Sequence, residues 1–120
     1  MNILSLVNTP IIFDLIILVW VHWFADFVMQ SHSMATNESK SNIWLTKHII
    51  VYTLFLIPFG LIFALINGIA HWITDYYSSR LSSKMYAKGD THNFFVVIGF
   101  DQALHITVLL LSYMYIPWFI

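Results

Sequence analysis

The chain has no cysteine, only three prolines, and few charges: five Lys or Arg and six Asp or Glu in 120 residues. Without thiols there can be no disulfide. Any metal would have to be held by His, Asp, Glu or Gln side chains. Charged residues are 9% of the sequence, where ordinary domains carry about 25%, and 59% of residues are hydrophobic. With a mean hydropathy of +0.76, this excludes an ordinary water-soluble domain. The net charge of −1 gives no footing for nucleic acid. The stretch Met1 to Pro10 lacks the basic n-region of a signal peptide, and no small-residue cleavage site follows the first apolar run. That run is expected to remain as a membrane span.

What is present is a succession of apolar runs. Four spans of roughly 20 residues would occupy about two-thirds of the chain, leaving short loops and no second domain. The expectation is all-α: an integral membrane four-helix bundle, one transmembrane domain over 1–120. Its spans fall at about 11–30, 43–58, 61–81 and 94–116. Thr9-Pro10 reads as a cap followed by proline at the first helical position. Asp14 falls in the first turn, where the helix dipole favours an anion, and is read as structural. Pro58-Phe-Gly60 is a natural break, since proline removes a donor and glycine tolerates turn geometry. Asn67-Gly68 offers an alternative turn, with the second helix kinked at Pro58 and running on to Ile66. The turn near Pro58–Gly60, with Asn67 buried inside the third helix, is preferred. Ser31–Asn42 and Ser82–Asn93 are polar loops, the first supplying caps for the next helix, and Pro117 closes the last span.

All five basic residues lie in or beside those two loops: Lys40 and Lys47 around one, Arg80, Lys84 and Lys88 around the other. The positive-inside rule then makes both loops cytoplasmic, with the two termini on the far side. Trp20, Trp44, Trp72, Tyr76, Tyr77, Tyr115 and Trp118 stand near span ends, as interfacial belts require.

Within this oily background the polar residues recur at helical spacing. His22-x-x-x-Asp26-x-x-x-Gln30, His71-x-x-x-Asp75 and Asp101-Gln102-x-x-His105 each stack their polar side chains on one helix face, and His48 stands alone between them. Aspartate within a span costs roughly 2.5–3.5 kcal/mol at a helix centre, less toward the interface, so something must be gained. Counted from the span ends at about 1.5 Å per residue, all seven His and Asp residues fall in one layer, roughly 6–16 Å below the cytoplasmic ends. Bundle cores build metal sites from such residues on facing helices. The expected ligands are His22, Asp26, His48, His71, Asp75, Asp101 and His105, with Asp26, Asp75 and Asp101 also the candidate catalytic carboxylates. Imidazole with carboxylate suits Zn²⁺, Mn²⁺ or Fe²⁺. Seven donors exceed the needs of one tetrahedral ion, which allows one or two ions, or carboxylates that orient the histidines. The competing account makes each pair interhelical glue, worth about 0.6 kcal/mol. Gln30 and Gln102 extend the stripes as candidate substrate contacts or plain polar caps. Arg80 is a candidate anion contact or a snorkelling cation, and Lys47 snorkels in the same way.

In these residues the chain resembles domain of unknown function 3307, a family of small bacterial and phage membrane proteins. The resemblance rests on His22-x-x-x-Asp26-Phe27-x-x-Gln30, Met34-Ala35 to Lys40, Leu45 to His48, Asn67-Gly68-Ile-Ala-His71 with Asp75-Tyr76 and Ser79-Arg80-Leu81, and Asp101-Gln102-x-x-His105. It covers about residues 12 to 112, and implies the bacterial inner membrane and the same polar residues without naming a reaction. A looser resemblance is to small inner-membrane metal-dependent hydrolases. The expected function is a metal-dependent hydrolase of a lipid or phosphate ester reached from the cytoplasmic leaflet, an aspartate outside the ligand set taking the proton. The alternatives are an ion- or proton-binding or transport module, which would need homo-oligomers, and a regulatory partner of a host membrane protein with a purely structural cluster. A polar path across the whole bilayer favours transport; a one-sided pocket favours catalysis or binding.

Overall fold

The computed structural model describes residues 9–117, and among the described residues every regular element is helical. Trp118, one of the expected belt residues, and residues 1–8 lie outside them. Helix α1 (Thr9–Trp23) passes into a π-helical segment (Phe24–Val28), followed by the short α2 (His32–Asn37), then α3 (Asn42–Leu56). A 3₁₀ turn (Ile57–Phe59) leads into α4 (Leu61–Ala87), and α5 (Thr91–Tyr115) completes the fold. Among the described residues, three stretches are long and apolar enough to cross a membrane: Ile11–Val28, Asn42–Phe59 and Thr91–Tyr115.

The break at Pro58 forms as the residues dictate. Gly60 N–H donates to the Ile57 carbonyl at 2.9 Å, and Gly60 adopts φ 131°, a backbone conformation costly for any residue with a Cβ. Asn67 therefore lies inside α4, 3% exposed. Its amide donates to the Phe63 carbonyl at 2.9 Å and to Ser112 Oγ of α5 at 2.7 Å. The neighbouring Gly68 serves close approach rather than a turn, since a Cβ there would overlap the Thr53 hydroxyl of α3.

Three local expectations are revised. The stretch read as one polar loop after α1 contains α2, whose Ser31 cap accepts from Met34 N–H at 3.2 Å. Its Ser, Thr and Asn residues thus serve this short helix, and Ser41, before α3, makes no side-chain cap bond. The loop expected over 82–93 shrinks because α4 continues to Ala87. The helix there stops being apolar without stopping being helical. It ends in a Schellman turn: Asp90 N–H donates to Met85 O and Gly89 N–H to Tyr86 O, both at 3.0 Å, with Gly89 at φ 76°. Asp90 then caps α5 by accepting from Asn93 N–H at 3.1 Å. Asp14 is not in the first turn of α1. It instead accepts from the Tyr113 hydroxyl of α5 at 2.8 Å, a structural role of another kind.

Helix α4 is the organising element, packing along both α5 and α3, while α1 touches α3 and α5. Its inward stripe is Phe63, Ala64, Asn67, Gly68, His71, Asp75 and Ser82. Its outward face, with Leu65, Ile69, Ile73 and Tyr77, is exposed and apolar. Residues Leu18, Leu56, Phe63, Ala64 and Leu109 form an apolar core toward the Pro58 end. The polar residues occupy the other half of the interior.

Candidate metal centre

The seven His and Asp residues are all buried, from 1% exposure at His48 and His71 to 8% at Asp101. Local structure accounts for how each arrives. The π segment closes with Met29 N–H donating to Phe24 O at 2.9 Å, and buries the consecutive residues Ala25 and Asp26. Wider turns of this kind are frequent at functional sites. His71 with Asp75, and Asp101 with His105, stand one regular turn apart on α4 and α5, each pair 3.0 Å between ring nitrogen and carboxylate oxygen.

Two groups of donors result. Asp26, His48, His71 and Asp75 each present one atom within 4.8 Å of the others, and Asp75, Asp101 and His105 do likewise. The first draws on three helical elements and the second on two, with Asp75 common to both. Asp26 Oδ1 is 3.0 Å from His48 Nε2 and 3.2 Å from His71 Nε2. The His71 and His105 rings stack at 3.8 Å between centroids.

The donor set fits a cation. His71 Nε2 lies near two carboxylates yet makes no directional hydrogen bond, and Nδ1 of both His48 and His71 is likewise buried without a partner. Buried polar atoms are rarely left so. An imidazole nitrogen facing two aspartates is the chemistry of a divalent metal site. The buried groups can therefore hold a metal ion.

His22 stands apart from both groups. Its Nδ1 pairs with the Tyr52 hydroxyl at 2.8 Å and its Nε2 with Gln102 Oε1 at 2.9 Å, with Asp26 farther off at 3.6 Å. It braces the site rather than offering a free nitrogen. Gln102 donates in turn to Asp26 Oδ2 at 3.2 Å and to Asp101 Oδ2 at 3.1 Å, and Ser78 Oγ donates to Asp101 Oδ1. Arg80 does not line the site. Its guanidinium donates to Tyr76 O at 2.9 Å and Asn42 Oδ1 at 2.7 Å and lies 3.8 Å from the Tyr76 ring centre, tying α4 to the start of α3. Lys47 rests over Trp44 at 4.3 Å.

Above the carboxylates opens a cavity of about 260 Å³. Asp26, Asp75 and Asp101 border it, serines 78, 79, 82 and 83 of α4 form one wall, and Gln30, Ala35, Glu38 and Ser39 lie across from them. Among the described residues no Lys or Arg lines it, so it attracts cations. Gln30 Nε2 donates to Glu38 Oε2 at 2.9 Å. Burial, reinforced by the negative charge of Asp75, pushes the Glu38 carboxyl up to about 7.

Sequence reasoning missed Tyr52, Glu38 and the serines. Tyr52 sits one turn after His48, the same four-residue spacing that flagged the other pairs. Ser78, Ser79 and Ser82 continue the Asp75 stripe at three, four and seven residues. Glu38 carried no local signal beyond being the one acidic residue of its loop.

A family model described as a protein of unknown function (DUF3307) matches residues 14–119. No curated protein and no solved structure matches the chain.

Proposed function

This chain belongs to the DUF3307 family, and we propose that it is a membrane-embedded, metal-dependent hydrolase of a lipid or phosphate ester, built around two neighbouring ions. The observation that carries the reading is the pair of buried donor groups sharing Asp75, together with His71, whose Nδ1 has no partner and whose Nε2 stands 3.0–3.2 Å from two carboxylates without a directional hydrogen bond. Hydrogen-bonded glue accounts for His105 with Asp75 and His48 with Asp26, whereas His71 Nε2 sits between two carboxylates with a directional bond to neither, the place of a ligand. Zn²⁺, Mn²⁺ and Fe²⁺ are the ions this donor set suits.

In this reading the chain is one transmembrane domain, a four-helix bundle of α1 with its π segment, α3, α4 and α5, in the bacterial inner membrane. Helix α4 serves as a span because its polar side chains turn inward while Leu65, Ile69 and Ile73 face outward. The ends bearing Lys40, Lys84 and Lys88 are cytoplasmic, and both termini are on the far side. The polar interior is one-sided: beyond His71 the apolar core closes it, and Asn67 with Ser112 and Asp14 with Tyr113 satisfy each other. That supports catalysis at a pocket over transport through a path.

A bound divalent ion supplies Lewis acidity toward a phosphoryl or acyl oxygen and toward water. The protein's own part is positioning and proton handling. Gln102 and Ser78 hold the orientations of Asp26 and Asp101, Tyr52 fixes His22, and Ser83 at the cavity wall offers a hydroxyl donor to an oxygen-rich group. Glu38 faces the cavity with its carboxyl raised by burial, in position for general acid–base work.

Elemental analysis of detergent-purified protein tests the reading. Wild type should carry up to two divalent ions per chain, and a folded Asp75→Ala variant should carry none. Metal-free wild type, or equal metal in both proteins, would sink it.

A further inference from the structure

We infer that the substrate is an amphiphilic lipid reaching the cavity sideways from the bilayer, through the gap between the π segment and α5. Its headgroup lies against the α4 serines and its acyl chain remains outside. The inference rests on the metal-dependent reading and names the substrate class of that same site.

The gap is a property of the backbone. No Cα of the π segment comes within 8 Å of α5, although α4 and α5 pack along their lengths. What links the two edges is the Gln102 side chain, which reaches Asp26 and His22 at the bottom of the cavity. Above Gln102 the edges are apolar: Phe27 on one side, Phe94 and Ile98 on the other, all lining an otherwise polar cavity. On α5 the face runs from Phe94 and Ile98 to Asp101 and His105, so its character changes from oily to ionic with depth. Phe27, 48% exposed, makes the same change beside Asp26.

A water-soluble ester would have no use for an apolar doorway, whereas a lipid must keep its chain in oil while its headgroup moves to the carboxylates. The chain segment holding Glu38 is pinned to Gln30 at 2.9 Å and borders the cavity opposite the serines. Size agrees. A cavity of about 260 Å³ is smaller than the roughly 300–1,000 Å³ of pockets that enclose a whole drug-sized ligand. It has room for a headgroup and none for acyl chains. Because no Lys or Arg lines the cavity among the described residues, a phosphate on the lipid would have its charge met by the ions.

The test uses purified full-length protein in nanodiscs containing a phosphatidic acid with a diazirine near the glycerol end of one acyl chain. Photo-adducts at Phe27, Phe94 and Ile98 should exceed those at the outward residues Ile69 and Leu111 by about tenfold. Ile98→Trp should abolish the excess with metal content unchanged. Phe94→Ala, which widens the gap, should raise labelling at Phe27 and covers the case in which Ile98→Trp does not fold. Uniform labelling, or adducts concentrated in the outer α4–α5 groove at Tyr77, Phe100 and Leu104, would overturn the sideways route. So would an Ile98→Cys protein that forms disulfide dimers with no lipid adduct, because a second copy would then cover the gap. Labelling and metal content are separate readouts. Rim labelling in a protein without metal would retain the route and remove the metal reading; metal without rim labelling would do the reverse.

Discussion

Asp75 offers its two carboxylate oxygens to different histidines: Oδ2 lies 3.0 Å from His71 and 3.5 Å from His48, and Oδ1 lies 2.8 Å from His105. One side chain thereby joins the two donor groups. A cation held by either group would draw on Asp75, so the two groups would depend on the same residue.

Asp75→Asn should therefore cost more metal than any other single change. Bound ion stabilises the fold by RT ln(1 + [L]/Kd), about 2.7 kcal/mol at a hundredfold excess over Kd. Chelator should lower the wild-type Tm, and re-adding one particular divalent ion should restore it. The Asn variant should melt at the chelated wild-type temperature and ignore chelator, while Asp101→Asn should retain about half the metal. An Asn variant that melts like wild type, with both proteins indifferent to chelator, would make the cluster a hydrogen-bonded core.

Glu38 gives a pH signature. Its carboxyl is raised from 4.5 in an ordinary setting to about 7 by burial first and Asp75 second. The folded state thus holds a proton that the unfolded state has already lost between those values, and the associated stability is present below about pH 4.5 and disappears as pH rises through 7. In chelated protein the wild-type Tm should fall from pH 5 to pH 8 relative to Glu38→Gln, which lacks the titration. Parallel Tm curves would refute the assignment.

The approach of α3 to α4 at Gly68 should be measurable as a clash. Gly68→Ala places a methyl against the Thr53 hydroxyl, which is itself bonded to the Ile49 carbonyl at 2.7 Å. Overpacking of this kind costs about 1–3 kcal/mol. Combining it with Thr53→Ala should recover most of the loss, giving a non-additive cycle. Simple additivity would mean that the loss does not arise from the Gly68–Thr53 contact.

Orientation can be read directly because the chain has no native cysteine. Cysteines at Ser39 and Ser83 should resist an impermeant thiol reagent in intact cells, and one at Asn2 should label. The opposite pattern would put the cavity on the other face of the membrane.

Much of the site was legible because it is written in four-residue steps. His71 with Asp75 and Asp101 with His105 announce their shared helix face, and counting depth from the apolar ends was enough to bring four distant segments to one level. What periodicity could not carry is the difference between a residue near the centre and one within it. His22 has the same spacing to an aspartate as the others, yet its neighbours Tyr52 and Gln102 take both ring nitrogens. Arg80 likewise looked available until Asn42, 38 residues away, supplied its partner. The π turn was invisible because it adds a residue to a helix without changing the composition around Phe24–Val28. The extension of α4 to Ala87 was missed for a simpler reason: hydropathy marks where a helix leaves oil, and Schellman glycines mark where it ends.

The polarity of α4 has a consequence for how the protein is made. The helix that carries His71, Asp75 and the serine wall is absent from the stretches that length and composition mark as able to cross a membrane, because His71, Asp75, the serines, Arg80 and Lys84 lower its hydropathy. Only a three-residue turn, residues 88–90, separates it from α5. On the proposed four-span topology, α4 would enter the bilayer with α5 as a hairpin, in which His105 stands against Asp75 at 2.8 Å. On that topology the pairing of Asp75 with His105 and the insertion of α4 would be coupled, and a chain truncated before α5 should insert α4 poorly.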